Sequence, residues 1–199
     1  MIFWKTYTGQ FLFFSYGSAE GFFFSDPKLY SVLLGWHKGW FIYTPLALFM
    51  ILGLILMAIK KEPFAAAISI YLLINIYLIS SWWDWGFGGA FGMRALVQSY
   101  ALLAIPLAYF IKTIYSISQK SIKRITIFIS SLAFIFMISL NIFQMRQFKI
   151  YVYHWDGMTK EAYQYTFFRL HFGRIDRAYL ETLYKFPDYD AMRKGKRDE

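Results

Sequence analysis

The chain contains no cysteine, and only 17% of its 199 residues are charged. The first absence excludes a disulfide-stapled domain and a cysteine-ligated metal centre. The second sets the chain below the roughly 25% of charged residues in ordinary soluble domains. The HExxH, P-loop, GxSxG and Rossmann glycine patterns are also missing, so the metalloprotease, nucleotidase, hydrolase and dinucleotide chemistries that use them have no foothold. The start, Met1-Ile2-Phe3-Trp4-Lys5, lacks the basic n-region, clean apolar core and small-residue cleavage site of a secretory signal. An N-terminus outside the membrane would then need something upstream to carry it there, so the chain reads as a piece of something longer. No internal repeat is present.

What the chain has is apolar surface. Hydrophobic residues make up 58% and aromatic residues 23%, with a mean hydropathy of +0.38. An integral membrane protein is the expectation, rather than a soluble enzyme or a disordered tail. Four stretches read as spans, 40–59, 64–83, 95–111 and 125–144, and none contains Lys, Arg, Asp or Glu. Each approaches the ~20 residues that cross ~30 Å of hydrocarbon. Lys38, Lys60, Lys61, Glu62, Asp84, Arg94, Lys112, Arg124 and Arg146 bracket them, as expected if charge is costly at mid-bilayer but can snorkel at its edge. Pro45 and Pro106 fall inside spans, where kinks are tolerated. Asn75, Gln98 and Asn141 are the intramembrane amides, read as interhelical hydrogen-bonding groups.

The fold class expected is therefore all-α and polytopic, with about four transmembrane helices and an extramembrane helical tail. Residues 1–39 read as an outer-face interfacial segment, 40–144 as the membrane region, and 145–199 as the tail. Lys60, Lys61, Lys112, Lys120, Lys123 and Arg124 occupy two short loops, whereas the loop at 84–94 holds only Arg94. The bias in short-loop Lys and Arg puts the first two loops in the cytoplasm and 84–94 outside, with both termini outside. In the tail, Thr159 is placed to cap a helix from Lys160 that Gly173 ends, and a second helix runs from Arg174 to about Phe186, before Pro187. The last stretch, 193–199, reads as frayed. The net charge of +9 is spread thinly, and no run forms the basic stripe of a nucleic-acid binder.

The loop from Ser81 to Arg94 is the most unusual part, with Trp82, Trp83, Trp85, four glycines, Asp84 and Arg94 between two spans. Tryptophan faces can stack on a sugar ring. Asp84 can serve as base, metal ligand or hydroxyl acceptor, and Arg94 can take a phosphate through two N–H groups. An interfacial aromatic belt around a tight turn, with Asp84 paired to Arg94, has the same composition. Ahead of the first span, His37 and Lys38 lie between Trp36 and Trp40. They are candidates to contact a lipid phosphate, or else a snorkelling lysine between belt tryptophans. His154 and His171 lack ligand spacing and read as structural or surface residues. No metal site or cofactor is evident, and a divalent-metal requirement stays open.

Several of these stretches together resemble a known family. They are Trp4-Lys5 with Thr8-Gly9, Tyr16-Gly17 with Glu20-Gly21-Phe22-Phe23-Phe24, Lys38-Gly39-Trp40 through Tyr43-Thr44-Pro45, the Trp82–Arg94 loop, and His154-Trp155-Asp156 with Met158-Thr159-Lys160. The chain is similar over nearly its whole length to GT-C-type glycosyltransferase-like proteins, related to the dolichyl-phosphate-mannose protein mannosyltransferases, in the form found in Bacteroidetes-type bacteria. The resemblance implies a multi-pass protein of the bacterial inner membrane that takes a sugar from a polyprenyl-phosphate donor at the outer face. Trp83, Asp84 and Trp85 would contact the sugar, and Arg94, Lys38 and His37 the phosphate. The family's acidic motif, in its first outer loop, has no match here, so the chain is expected to be a C-terminal portion. Its expected partners are membrane lipid, the lipid-linked sugar and an N-terminal half or partner subunit. A non-catalytic membrane subunit is the alternative, and a small transporter a further one, with only the three amides to serve it.

Overall fold

The computed structural model describes residues 2–11 and 20–197. Part of the resemblance, Tyr16-Gly17, lies outside them. Among the described residues the chain is helical, apart from an isolated antiparallel bridge between Phe22 and Trp82. In chain order the helices are α1 (Ile2–Thr8), α2 (Leu29–Leu34), α3 (Trp40–Tyr43), α4 (Ala47–Ile59), α5 (Ala65–Ser81), a 3-10 turn (Arg94–Ser99) running into α6 (Tyr100–Tyr115), α7 (Lys120–Lys149), α8 (Lys160–Thr166), α9 (Arg174–Leu183) and α10 (Tyr189–Arg193).

Two helical stretches, Arg94–Tyr115 and Lys120–Lys149, are long and apolar enough to cross a membrane. The α7 helix, at 30 residues, reaches about 45 Å at 1.5 Å per residue. Its apolar positions stay largely uncovered, Phe128, Leu132 and Ile142 among them. The other two apolar helices, α4 and α5, are shorter, at 13 and 17 residues.

The first expected span is not one helix, because the chain leaves helical geometry at Thr44 (φ −139°, ψ 66°). Proline 45 forces this: its ring crowds the preceding residue out of the α region and it has no N–H to give the ladder. The break leaves the Tyr43 carbonyl without its helical donor, and Asn141 on α7 supplies one at 2.6 Å. Asn75 likewise donates to Ser99 Oγ at 2.8 Å. Pro106 has a different outcome, since α6 continues through it. There α4 lies so close that a Cβ on Gly53 would stand 1.9 Å from the Pro106 carbonyl oxygen. Glycine is required by this approach of two backbones.

The loops joining α4 to α5 and α6 to α7 form one end of the helical part. At the other end, segment 20–40, the 82–94 loop and the tail pack into a cap. Phe23 and Lys28 donate backbone N–H bonds to Ser81 and Ser80, and Trp83 donates to Gly21. The tail folds back on the helices through a core of Tyr43, Val152, Tyr153, Met158, Ala162, Tyr163 and Leu180. Thr159 caps α8 as expected, accepting from Ala162 N at 3.1 Å. The helix stops at Thr166, not Gly173, because Gln147 of α7 donates to the carbonyls of Thr166 and Arg169 and gives the last turn a partner outside the helix.

The second tail helix ends at Leu183, ahead of Phe186. The expectation of a frayed end fails at Arg197, which is 1% exposed. Its guanidinium donates to the carbonyls of Trp82 (2.9 Å), Ser80 (3.2 Å) and Asp26, and lies over the Phe23 ring. It thus closes the C-terminal end of α5, where the carbonyls carry partial negative charge.

Candidate functional site

Within the cap, five polar side chains converge. Lys38, at the entry to α3, is 1% exposed and turns inward rather than toward a headgroup. Its ammonium donates to the carbonyls of Gly88 and of Ala90, the latter at 3.0 Å, and so clamps the glycine-rich loop. Burial lowers its pKa to about 8, against the opposing pull of Asp156 and Asp84. Asp84 heads the loop and accepts from the Gly88 N–H; burial and the nearby Asp156 raise its pKa despite Lys38. A Cβ built on Gly86 would find Asp84 Oδ1 at 3.5 Å, Lys38 Cγ at 3.7 Å and His37 Cε1 at 3.8 Å, which shows how closely the three side chains meet.

Asp156 comes from the tail. Its carboxylate stands 3.3 Å from His37 Nε2, off the line of a straight hydrogen bond, and accepts from the Tyr189 hydroxyl. Burial alone would raise its pKa, but His37, Tyr189 and Lys38 together outweigh burial and hold it below the ordinary carboxylate range. Two neighbouring carboxyl groups are therefore driven apart, Asp84 toward its neutral form and Asp156 toward its charged one, the pattern that separates acid from base roles in a site.

The structure brings His37, Lys38, Asp84 and Trp85 together, with Trp83 packed beside them. Arg94 stands apart. The expected Asp84–Arg94 pair does not form, and among the described residues the Arg94 guanidinium has no hydrogen-bond acceptor or carboxylate partner. Trp83 and Trp85 belong to the buried core, 6% and 2% exposed. Trp83 is covered by Arg193 at 4.8 Å and Tyr189, and Trp85 meets the His37 ring edge-on. Both act as walls of the site, while Trp36 and Trp82 are partly open and Trp155, against Gly89, is exposed.

Two hollows flank this cluster. One, of about 490 Å³, is lined by Glu20, Phe22, Trp82, Trp83, Asp84, Phe87 and Arg94 among others. It shares Ile79, Phe87 and Arg94 with an apolar groove of about 470 Å³ that runs on past Ala95 and Val97, so Arg94 stands where the two meet. The other hollow, of about 470 Å³, lies under the tail between Trp36, His37, Asp84, Trp85, Lys160 and Phe186. Asp84 is the one described residue that lines both sides.

Tyr189, Lys185 and Lys196 carried no signal in the sequence. They reach the site because the tail doubles back, whereas Asp156 and Lys160 lay within stretches already singled out. Among the described residues no three His, Asp or Glu side chains are grouped to hold a metal ion. Comparison with protein-family models, with curated proteins and with solved structures finds no match to this chain.

Proposed function

We propose that the chain is the C-terminal, membrane-embedded portion of a GT-C-type glycosyltransferase that uses a polyprenyl-phosphate-linked sugar at the outer face of the membrane. In this reading all four apolar segments cross the bilayer, with α3 and α4 forming one broken span. The cap and both termini then face the periplasm. The short loops carrying Lys60, Lys61, Lys112, Lys120, Lys123 and Arg124 lie at the end opposite the cap, which supports this orientation.

The observation that carries the proposal is the position of Arg94. An unpaired guanidinium stands between an apolar groove beside the Arg94–Ser99 turn and a hollow walled by tryptophan, glycine and the carboxyl groups of Asp84 and Glu20. That sequence of surfaces matches a ligand with a lipid tail, a phosphate and a sugar. Arg94 grips the phosphate through two N–H groups and offsets charge as it builds on the departing lipid phosphate. Asp84 meets the sugar hydroxyls. Lys38 acts by holding Gly88 and Ala90, and through them the loop, in place. The base for the acceptor comes from outside this chain.

The test is turnover of a polyprenyl-phosphate-linked sugar by the complete enzyme. Arg94→Ala is expected to lower it about 100-fold or more, the cost of removing one transition-state charge partner. Arg94→Lys is expected to restore part of it, and unchanged turnover in the alanine variant overturns the assignment. The second reading, a non-catalytic partner subunit, draws on the exposed apolar residues Ile70, Leu73 and Ile74 of α5. It predicts that Arg94→Ala leaves a co-purifying subunit's activity intact.

A further inference from the structure

We infer that the hollow under the tail is a second binding site, one that takes a sugar carrying a phosphate. This inference needs only the cleft itself and does not depend on the glycosyltransferase reading, which rests on the Arg94 side.

The volume of about 470 Å³ falls within the range of small-molecule sites and has room for a hexose phosphate. Charge for a ligand comes from Lys160 and Lys196, with Lys185, which has an interaction of its own, beside them. Lys160 opens α8, Lys185 precedes Pro187, and Lys196 follows α10, yet folding sets all three on one rim. Two carboxyl groups, Asp188 and Asp84, share the lining. The Asp188 carboxylate accepts from the N–H groups of Asp190 and Ala191 and is engaged in capping α10. The other carboxyl group on the wall, Asp84, is drawn toward its neutral form. The balance suits an anion.

The remaining lining suits a sugar ring. Trp36 and Phe186 offer aromatic surface, and the Lys160 ammonium lies 5.9 Å from the Trp36 ring centre. The Thr159 oxygen and the Asp84 carboxyl group supply polar partners for hydroxyls. In the wall behind, Trp85 Nε1 is buried without a hydrogen-bond partner in the protein, beside the His37–Asp156 pair. Buried polar groups left this way are uncommon and mark a place where another molecule completes the bonding.

The experiment is a titration of intrinsic tryptophan fluorescence, using the full chain in phosphatidylcholine nanodiscs. Glucose 1-phosphate is expected to give a saturable change, with glucose and inorganic phosphate each binding at least ~10-fold more weakly. A Lys160→Gln, Lys196→Gln double variant is expected to weaken glucose 1-phosphate binding ~10-fold or more. A Lys160→Arg, Lys196→Arg double variant is expected to stay within ~3-fold of the parent, which separates loss of charge from loss of fold. No saturable change, or equal affinity in the glutamine variant, overturns the inference. Competition by phosphatidylglycerol added to the discs also overturns it, by assigning the rim lysines to lipid headgroups.

Discussion

Phe128 in the first third of α7 is 70% exposed and Leu132 59%, whereas Arg197, near the end of the tail, is 1% exposed. A protein in water would show the reverse. The helical part turns many apolar side chains outward, and its helices meet along a core that includes Met50, Leu54, Ile68, Leu72 and Leu103, with Gly53 against Pro106, Asn75 against Ser99 and Asn141 against the Tyr43 carbonyl. The cap turns charge inward and satisfies it by long-range bonds, Lys38 to Gly88 and Ala90, and Arg197 to Ser80, Trp82 and Asp26. Lipid solvates a leucine at no cost, so the sequence of the helical faces is loosely constrained. A buried cation must find its acceptors, so the cap is held at named atoms.

The largest effect should come from the cation that ties the two ends of the cap together. Arg197→Ala removes several charge-assisted bonds at once and takes from the Trp82 and Asp26 carbonyls their donor, while Ser80 keeps the Lys28 N–H. A loss of about 3 kcal/mol is expected, read as reversible unfolding in detergent. Equal stability would mean that the tail is dispensable to the cap.

A smaller effect belongs to pH. Lys38 has a folded pKa of about 8 against 10.5 in the unfolded chain, so between those values the unfolded state binds the extra proton. Stability should therefore rise with pH from about 8, by about 1 kcal/mol per pH unit at most. Above about pH 10 buried tyrosines oppose it: Tyr184, pushed up to about 12 mainly by burial, keeps its proton when folded after the unfolded chain has lost it. Thermal unfolding at pH 8 and pH 9.5 should show the rise in the parent and not in Lys38→Met.

The smallest effect should be on the helical face. Phe128→Leu is expected to change stability by less than about 0.5 kcal/mol in lipid, since it exchanges one apolar surface for another. A larger loss would show that a partner, not lipid, covers α7.

The apolar runs were legible because the cost of burying charge in hydrocarbon is local. It depends on ~20 consecutive residues and needs no knowledge of the fold, which is why charged residues mark the ends of those runs. The break at Thr44-Pro45 and the cap of α8 by Thr159 follow equally local rules, though the sequence reading treated Pro45 only as a tolerated kink.

The site was legible only in part. The loop from Ser81 to Arg94 stood out by its composition. That Asp84 and Arg94 line one hollow without pairing, that Lys38 points inward, and that Trp83 and Trp85 are packed as walls depends on what lies opposite them. Among those partners, Asp156, Tyr189 and Arg193 come from 70 to more than 100 positions further along the chain.

The sequence by itself determined the long apolar stretches and the unusual loop, since each follows from neighbours within a few turns of backbone. The tertiary structure alone decided which charges are buried, which stay open, and that three lysines of the tail share one rim. A cation's free energy is set by the groups within a few ångströms of it in space, whatever their distance along the chain.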